Sequence, residues 1–274
     1  MQGEILLKEF PPRPPGHPDI AAHKLSRSVQ NAFTLIEILI VITIIAILAA
    51  LLLPALMTAK EKGQRVVCLK NLQQLAGASQ MYSADNDGTL PDNSPIGMAG
   101  TQRTNAWVQG NMKLPTEATD ERFIRQSKLF PYANDPRLFH CPGDSSKTDG
   151  LDRVRSYAMN SWMGTRYMET YSDAKGYRTF VREQELARAG TAALWVMMDE
   201  HETTLDDGFF MVTMDDTRPF VSFPGARHGH GYSLNFADAH VDFQKLRDPN
   251  SRPTGQGAGG TNDWQRLKEI TTIR

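Results

Sequence analysis

The sequence predicts an α+β fold in which one long N-terminal helix lies on an antiparallel sheet. Three observations predict it. Residues 38–53 carry no charge, and Thr43 is their only polar side chain. Apolar residues at three- and four-residue spacing resume after Pro54 and run to Tyr82. Between residues 191 and 246, short apolar runs alternate with turn residues at hairpin spacing.

Residues 1–32 are polar and proline-rich, and Lys8, Arg13, Lys24 and Arg27 place basic charge ahead of the apolar run. Basic residues on that flank hold it in the cytoplasm and send the following segment outward. Residues 33–53 are long enough to cross a bilayer, which takes about 20 apolar residues. Glu37 sits near the start of that run. A carboxylate in lipid costs roughly 2.5–3.5 kcal/mol on an insertion scale, so a plain anchor has no reason to carry it. Pro54 kinks the helix without ending it, because the periodicity resumes at once. Val67, Leu69, Leu72, Leu75, Ala76, Ser79 and Tyr82 then mark the face that meets a globular partner. Asp85-Asn86-Asp87-Gly88, with Pro91 behind it, is the stop. Asp85, Asp87 and Asp92 invite a calcium site, but no Glu closes an EF-hand loop and turn chemistry accounts for them.

In the middle of the chain, residues 124–131 read as a short helix stopped by Pro131. Residues 191–198 and 209–213 read as strands, and residues 232–236 and 240–246 as a hairpin turning at Ala237-Asp238-Ala239. Tyr232, Leu234 and Phe236 share one face of it. Gly255 to Gly260 reads as a flexible linker before a short helix over 263–270. The expected organisation is thus 1–32, 33–54, 55–247 for the globular domain including the amphipathic half of the helix, and 248–274 for a flexible segment with a short helix.

The chain has 274 residues and a formal net charge of -1, with no basic stripe interleaved with aromatics, so nucleic acid is excluded as a partner. Neither a nucleophile elbow nor a phosphate-binding loop is present, and no catalytic residue or cofactor is expected. Cys68 and Cys141 are the only cysteines; they could form one disulfide or remain two buried thiols. His228, His230, Asp238, His240 and Asp242 form the only dense group of metal-ligand types, with His228, Asp238 and His240 the candidate set. Asp199, Glu200 and His201 can approach it from a neighbouring strand. The alternative is hydrogen bonding, with Arg227 or His228 locking Asp238 and its turn.

Phe33-Thr34-Leu35-Ile36-Glu37 and the apolar run behind it resemble the processing site of type IV prepilins and type II secretion pseudopilins. Pro54 stands where pilin helices commonly carry a proline. The resemblance implies a leader over 1–32, cleavage between Ala32 and Phe33 by a prepilin peptidase, and methylation of the Phe33 amine. It also implies that Glu37 pairs with that amine on a neighbouring pilin-like subunit. Ala32 departs from the Gly preferred before the cut. Cys68, Asn71, Tyr82, Cys141-Pro142-Gly143-Asp144 and Tyr157-Ala158-Met159-Asn160 resemble a large set of bacterial pseudopilin-like proteins that share a C-terminal His, nine residues, Asp-Gly signature. His228 and Asp238 have that spacing, with Ala239 in place of Gly. The implied protein has a pilin-like fold and is a structural subunit. It crosses the inner membrane once, with its globular domain periplasmic or extracellular, alone or in a filament. The other reading is an anchored, exported binding or enzymatic domain using His228, Asp238 and His240.

Overall fold

The computed structural model describes residues 34–96, 104–216, 220–248, 251 and 262–274. Ala32 and Phe33, and the Gly-rich segment over 255–260, lie outside the described residues. Two compact units are present, residues 1–51 and 52–274.

Helix α1 (Leu35–Asp85) passes through Pro54 without a break. A proline at that point removes one backbone donor, and the flanking residues are good helix formers. In the first unit every described side chain of α1 is exposed, including the aliphatic run from Leu35 to Leu51. In the second unit one stripe of α1 is buried: Cys68, Asn71, Leu72, Leu75, Ala76, Ala78, Ser79 and Ser83. The predicted stripe is displaced at one end. Val67 is exposed and Cys68 and Asn71 are buried instead. Asn71 can be inside because its amide donates to the His140 carbonyl oxygen at 3.1 Å. The helix ends in a left-handed Asp87 and Gly88. Asp92 is used locally, accepting from the Ser94 amide and hydroxyl.

Short elements follow: α2 (Pro115–Ala118), α3 (Glu121–Arg125), α4 (Phe130–Ala133), the small hairpin β1 (Lys147–Thr148) and β2 (Leu151–Asp152), and α5 (Glu183–Ala189). The predicted helix over 124–131 is thus two separate turns, α3 and α4. The main sheet contains β3 (Tyr157–Asn160), β4 (Trp195–Asp199), β5 (Phe209–Phe210), β6 (Gly231–Phe236) and β7 (Val241–Lys245), in the order β5-β3-β4-β6-β7. It is mixed, not purely antiparallel: β5 runs parallel to β3 while the other neighbours are antiparallel. The segment over 191–198 begins as a 3-10 turn, Thr191–Ala193, before β4.

Alternation divides the sheet into two faces. Tyr157, Met159 and Met197 pack with Cys68, Leu72 and Leu75 of α1. Ala158, Trp195, Met198, Tyr232, Leu234 and Phe236 pack on the opposite side with Phe220, Trp264 and Leu267. The Asn235 amide reaches from β6 to the Leu72 carbonyl oxygen at 2.7 Å, fixing the helix along the sheet. The last helix, α7 (Asn262–Glu269), buries Trp264 completely. Just beyond it, Thr271 accepts the Trp195 indole N–H through its hydroxyl and the Asn160 amide through its carbonyl. Residues 262–274 therefore contribute to the core beneath the sheet.

The β6–β7 turn places Ala239 at φ 69°. A Cβ in that left-handed region costs about 1–2 kcal/mol, of which a glycine returns about 0.4–1 kcal/mol as unfolded-state entropy. Ala239→Gly should therefore stabilise the domain by about 0.5–1 kcal/mol and raise its melting temperature by about 1–4 °C. Calorimetry showing an unchanged or lowered midpoint would contradict this account of the turn.

Candidate functional site

The start of α1 is built as a capping box. The Thr34 amide and hydroxyl both donate to Glu37 Oε2, at 2.8 and 2.7 Å, and the Glu37 amide donates back to Thr34 Oγ1 at 3.3 Å. A Thr at the helix cap with a Glu three residues on satisfies the free amides of a helix start reciprocally. Glu37 is fully exposed in the isolated chain. The carboxylate thus stands at the head of a helix long and apolar enough to cross a membrane.

A second concentration of chemistry lies in the globular unit, where α1 meets the sheet. Cys68 from α1, Cys141 from the loop before β1, Asp199 at the end of β4 and His228 from the turn before β6 are all buried. One ligand atom from each lies within 4.8 Å of all the others. His228 Nε2 is 3.0 Å from Cys141 Sγ, and the Tyr157 hydroxyl donates to Cys68 Sγ at 3.2 Å. Cys68 and Cys141 are not bonded to each other in the structure, although their Sγ atoms lie within 4.8 Å. The four-residue turn α6 (Arg227–His230) carries His228 and Gly229 at φ 53° and 81°. That left-handed backbone turns the imidazole inward, where it fits against Gly143.

Arg227 holds the charged side of this cluster. Its guanidinium contacts Asp199 Oδ1 at 2.6 Å, Asp144 Oδ1 at 3.0 Å and Glu202 Oε2 at 3.1 Å. It also donates to the Glu200 carbonyl oxygen at 2.9 Å. Burial pushes the Asp199 carboxyl up to about 7, although Arg227 pulls it down. Burial also pushes the Cys141 thiol up. At Cys68 burial acts in the same sense, but hydrogen bonds with Cys141, His228 and Tyr157 outweigh it and leave this thiol the more acidic.

The candidate set His228, Asp238 and His240 is not brought together. His228 precedes β6 and Asp238 follows it, and a strand of that length at about 3.3 Å per residue separates them by roughly 20 Å. His240 Nδ1 contacts Asp238 Oδ1 at 2.6 Å on the half-exposed hairpin tip, and its ring stacks on Phe236. Arg227 is engaged with Asp144, Asp199 and Glu202, which removes the expected lock on Asp238 as well. Asp199 does arrive from the neighbouring strand, but at His228 and the cysteines. A groove of about 470 Å³ includes Asp238, Glu183 and Gln80 in its lining, and neither His228 nor His240.

Residues 27–53 match the family model described as the prokaryotic N-terminal methylation motif. The chain is 32% identical over 120 residues to type II secretion system core protein G of Pectobacterium carotovorum, covering 44% of this chain and 72% of that one. It is 31% identical over 127 residues to the core protein G of Aeromonas hydrophila, covering 45% and 84%. The type IV wide pilus major component PilA4 of Thermus thermophilus is 39% identical over 82 residues, covering 29% and 63%. No solved structure matches. The C-terminal spacing of His228 and Asp238 rests on this sequence alone.

Arg227→Leu should destabilise the protein by about 3–5 kcal/mol, the cost of leaving buried carboxylates without their cation. A carboxyl whose folded pKa is raised favours folding below its unfolded value, about 4, and that contribution is lost as pH rises through the folded value. Loss of Arg227 raises Asp199 further, so the deficit should be larger at pH 8 than at pH 5. Urea unfolding of both proteins at the two pH values checks this; a small, pH-independent deficit would show that Asp144 and Asp199 do not depend on Arg227.

Proposed function

Because this chain belongs to the family of type II secretion system core protein G, we propose that it works as a processed pseudopilin, assembled through the N-terminal part of α1. It is a pilin-like structural subunit. In this reading a prepilin peptidase cuts between Ala32 and Phe33 and methylates the new amine. The apolar half of α1 holds the subunit in the inner membrane, with the globular unit on the outer side. Subunits then leave the bilayer by bundling their apolar helices.

The observation that carries this reading is the carboxylate of Glu37 at the head of an otherwise uncharged span, inside the matched methylation motif. A methylated Phe33 amine on an adjacent subunit is a cation of the right charge and depth to neutralise it. In a low-dielectric setting that attraction fixes the stagger between subunits. The aliphatic side chains from Leu35 to Met57, exposed in the single chain, supply the surface that lipid or sister helices cover.

Mass analysis of protein taken from cells with active peptidase should find an N-methylated Phe33 at the mature N-terminus. An intact leader, or a terminus elsewhere, would overturn the processing step. Glu37→Gln keeps a capping-box side chain and removes the charge. It should leave processing intact while removing the protein from sheared surface or assembled fractions. Equal distribution of wild type and variant between assembled and membrane fractions would refute the assembly role of Glu37.

A further inference from the structure

The geometry points to a structural zinc site at Cys68, Cys141, Asp199 and His228, clamping α1 to the sheet of the globular unit. Nothing in the subunit role described above requires it. Two thiols, an imidazole and a carboxylate make a donor set suited to a divalent transition ion of the zinc class. In a tetrahedral zinc site, ligand atoms stand roughly 3.3–3.8 Å apart, given bonds of about 2.0–2.3 Å. The four here lie within 4.8 Å of one another, on four separate chain segments. Small side-chain rotations close that gap.

Three further features fit a metal better than a packed thiol pair. Asp199 Oδ1 is taken by Arg227, while Oδ2 is buried with no hydrogen-bond partner among the described residues. This is the division expected of a carboxylate that gives one oxygen to a metal and the other to a supporting cation. The backbone makes room where the two non-thiol donors enter. A Cβ on Gly143 would come within 2.5 Å of His228 Cε1, and one on Gly225 within 2.5 Å of Asp199 Oδ2. Finally, the left-handed turn at His228 (φ 53°) and Gly229 (φ 81°) directs the imidazole to the thiols, with Nε2 3.0 Å from Cys141 Sγ.

The charges agree with this assignment. With both thiols ionised, Cys68, Cys141, Asp199 and Asp144 exceed what Arg227 neutralises, and a divalent cation offsets most of the remainder. Zinc binding releases the thiol protons, so affinity should rise with pH. The coupling is structural: Cys68 belongs to α1, Asp199 to β4, and Cys141 and His228 to the loops between. A ligated ion therefore ties the helix to the sheet in the way a disulfide would, and it keeps both thiols from oxidation in an oxidising compartment.

The test uses the full chain purified in detergent under reducing conditions. Zinc sulfate is added, excess is removed, and metal is measured per chain; one zinc per chain is expected. Cobalt chloride in place of zinc should give visible bands of tetrahedral intensity and a near-ultraviolet thiolate-to-cobalt band. Cys68→Ser and Cys141→Ser should each weaken the thiolate band, and His228→Ala should lower cobalt affinity at least tenfold. His240→Ala, on the hairpin tip, should change nothing. The wild-type cobalt spectrum needs no variant to fold: absence of the thiolate band overturns the site. So does zinc retention unaffected by the cysteine substitutions. A Cys68–Cys141 disulfide in metal-free protein, alkylated as the cells are opened, overturns it equally.

Discussion

A helix that is aliphatic on every side cannot be satisfied by its own globular domain. Burial of apolar surface favours association by about 25 cal/mol per Å², and from Leu35 to Met57 the large side chains of α1 remain at least 48% exposed. No arrangement of one sheet covers a full circumference, because a sheet offers a single face to a helix. The chain must find that cover outside itself. In the proposed role, lipid supplies it for a lone subunit and sister helices supply it in an assembly. Membrane retention and filament formation are two solutions to the same constraint.

The second half of α1 obeys the opposite rule. There the buried residues narrow to one stripe, and charged or amide side chains such as Lys60, Lys62, Lys70 and Gln73 face solvent. The stripe is not wholly apolar. Cys68 and Asn71 are inside because the sheet and its loops answer them: Tyr157 donates to the Cys68 sulfur and the His140 carbonyl accepts from Asn71. Asn235 returns the connection by capping the Leu72 carbonyl oxygen from β6. A helix laid on a sheet by aliphatic contact alone could slide by a turn. These directional bonds fix its register, and the cluster at Cys68 sits where that register is set.

Much of this was legible in the sequence wherever the signal was local. The length of α1 followed from unbroken periodicity, and its end from Asn86-Asp87-Gly88. The β6–β7 hairpin followed from the alternation of Tyr232, Leu234 and Phe236 around a turn at Asp238. What was not legible depended on contacts between distant segments. The two residues of β5 pair in parallel with β3 about fifty positions earlier, and no periodicity announces that. Trp264 reads as a tail residue until the sheet face it covers is known. The cluster shows the difficulty most clearly. His228, Asp238 and His240 look like a site because they are close in sequence, yet an intervening strand keeps His228 away from the other two. Its real neighbours come from positions 68, 141 and 199. The one local hint was a charged pair, Asp199-Glu200, at the end of the otherwise apolar strand β4.

The capping box at Glu37 bears on how far a local contact can explain a residue. Within one chain, Thr34 already satisfies the Glu37 carboxylate and Glu37 already satisfies the helix start. By hydrogen bonding alone, the residue has no need of a neighbour. Capping boxes, however, accept Gln as readily as Glu, since one side-chain oxygen is all the helix start requires. The uncharged amide would also be far cheaper at the head of a membrane-crossing helix. Hydrogen bonding therefore accounts for the shape and position of the side chain but not for its charge. The helix dipole offsets about 0.3–1 kcal/mol of the cost of that charge, less than the roughly 2.5–3.5 kcal/mol a carboxylate costs in lipid, and an electrostatic partner is needed for the rest. Among the described residues, α1 carries its first cation at Lys60, over 30 Å further along the helix at about 1.5 Å per residue. The partner has to come from beyond the described helix, and an amine created at the mature N-terminus of an adjacent subunit has the charge and the depth to serve.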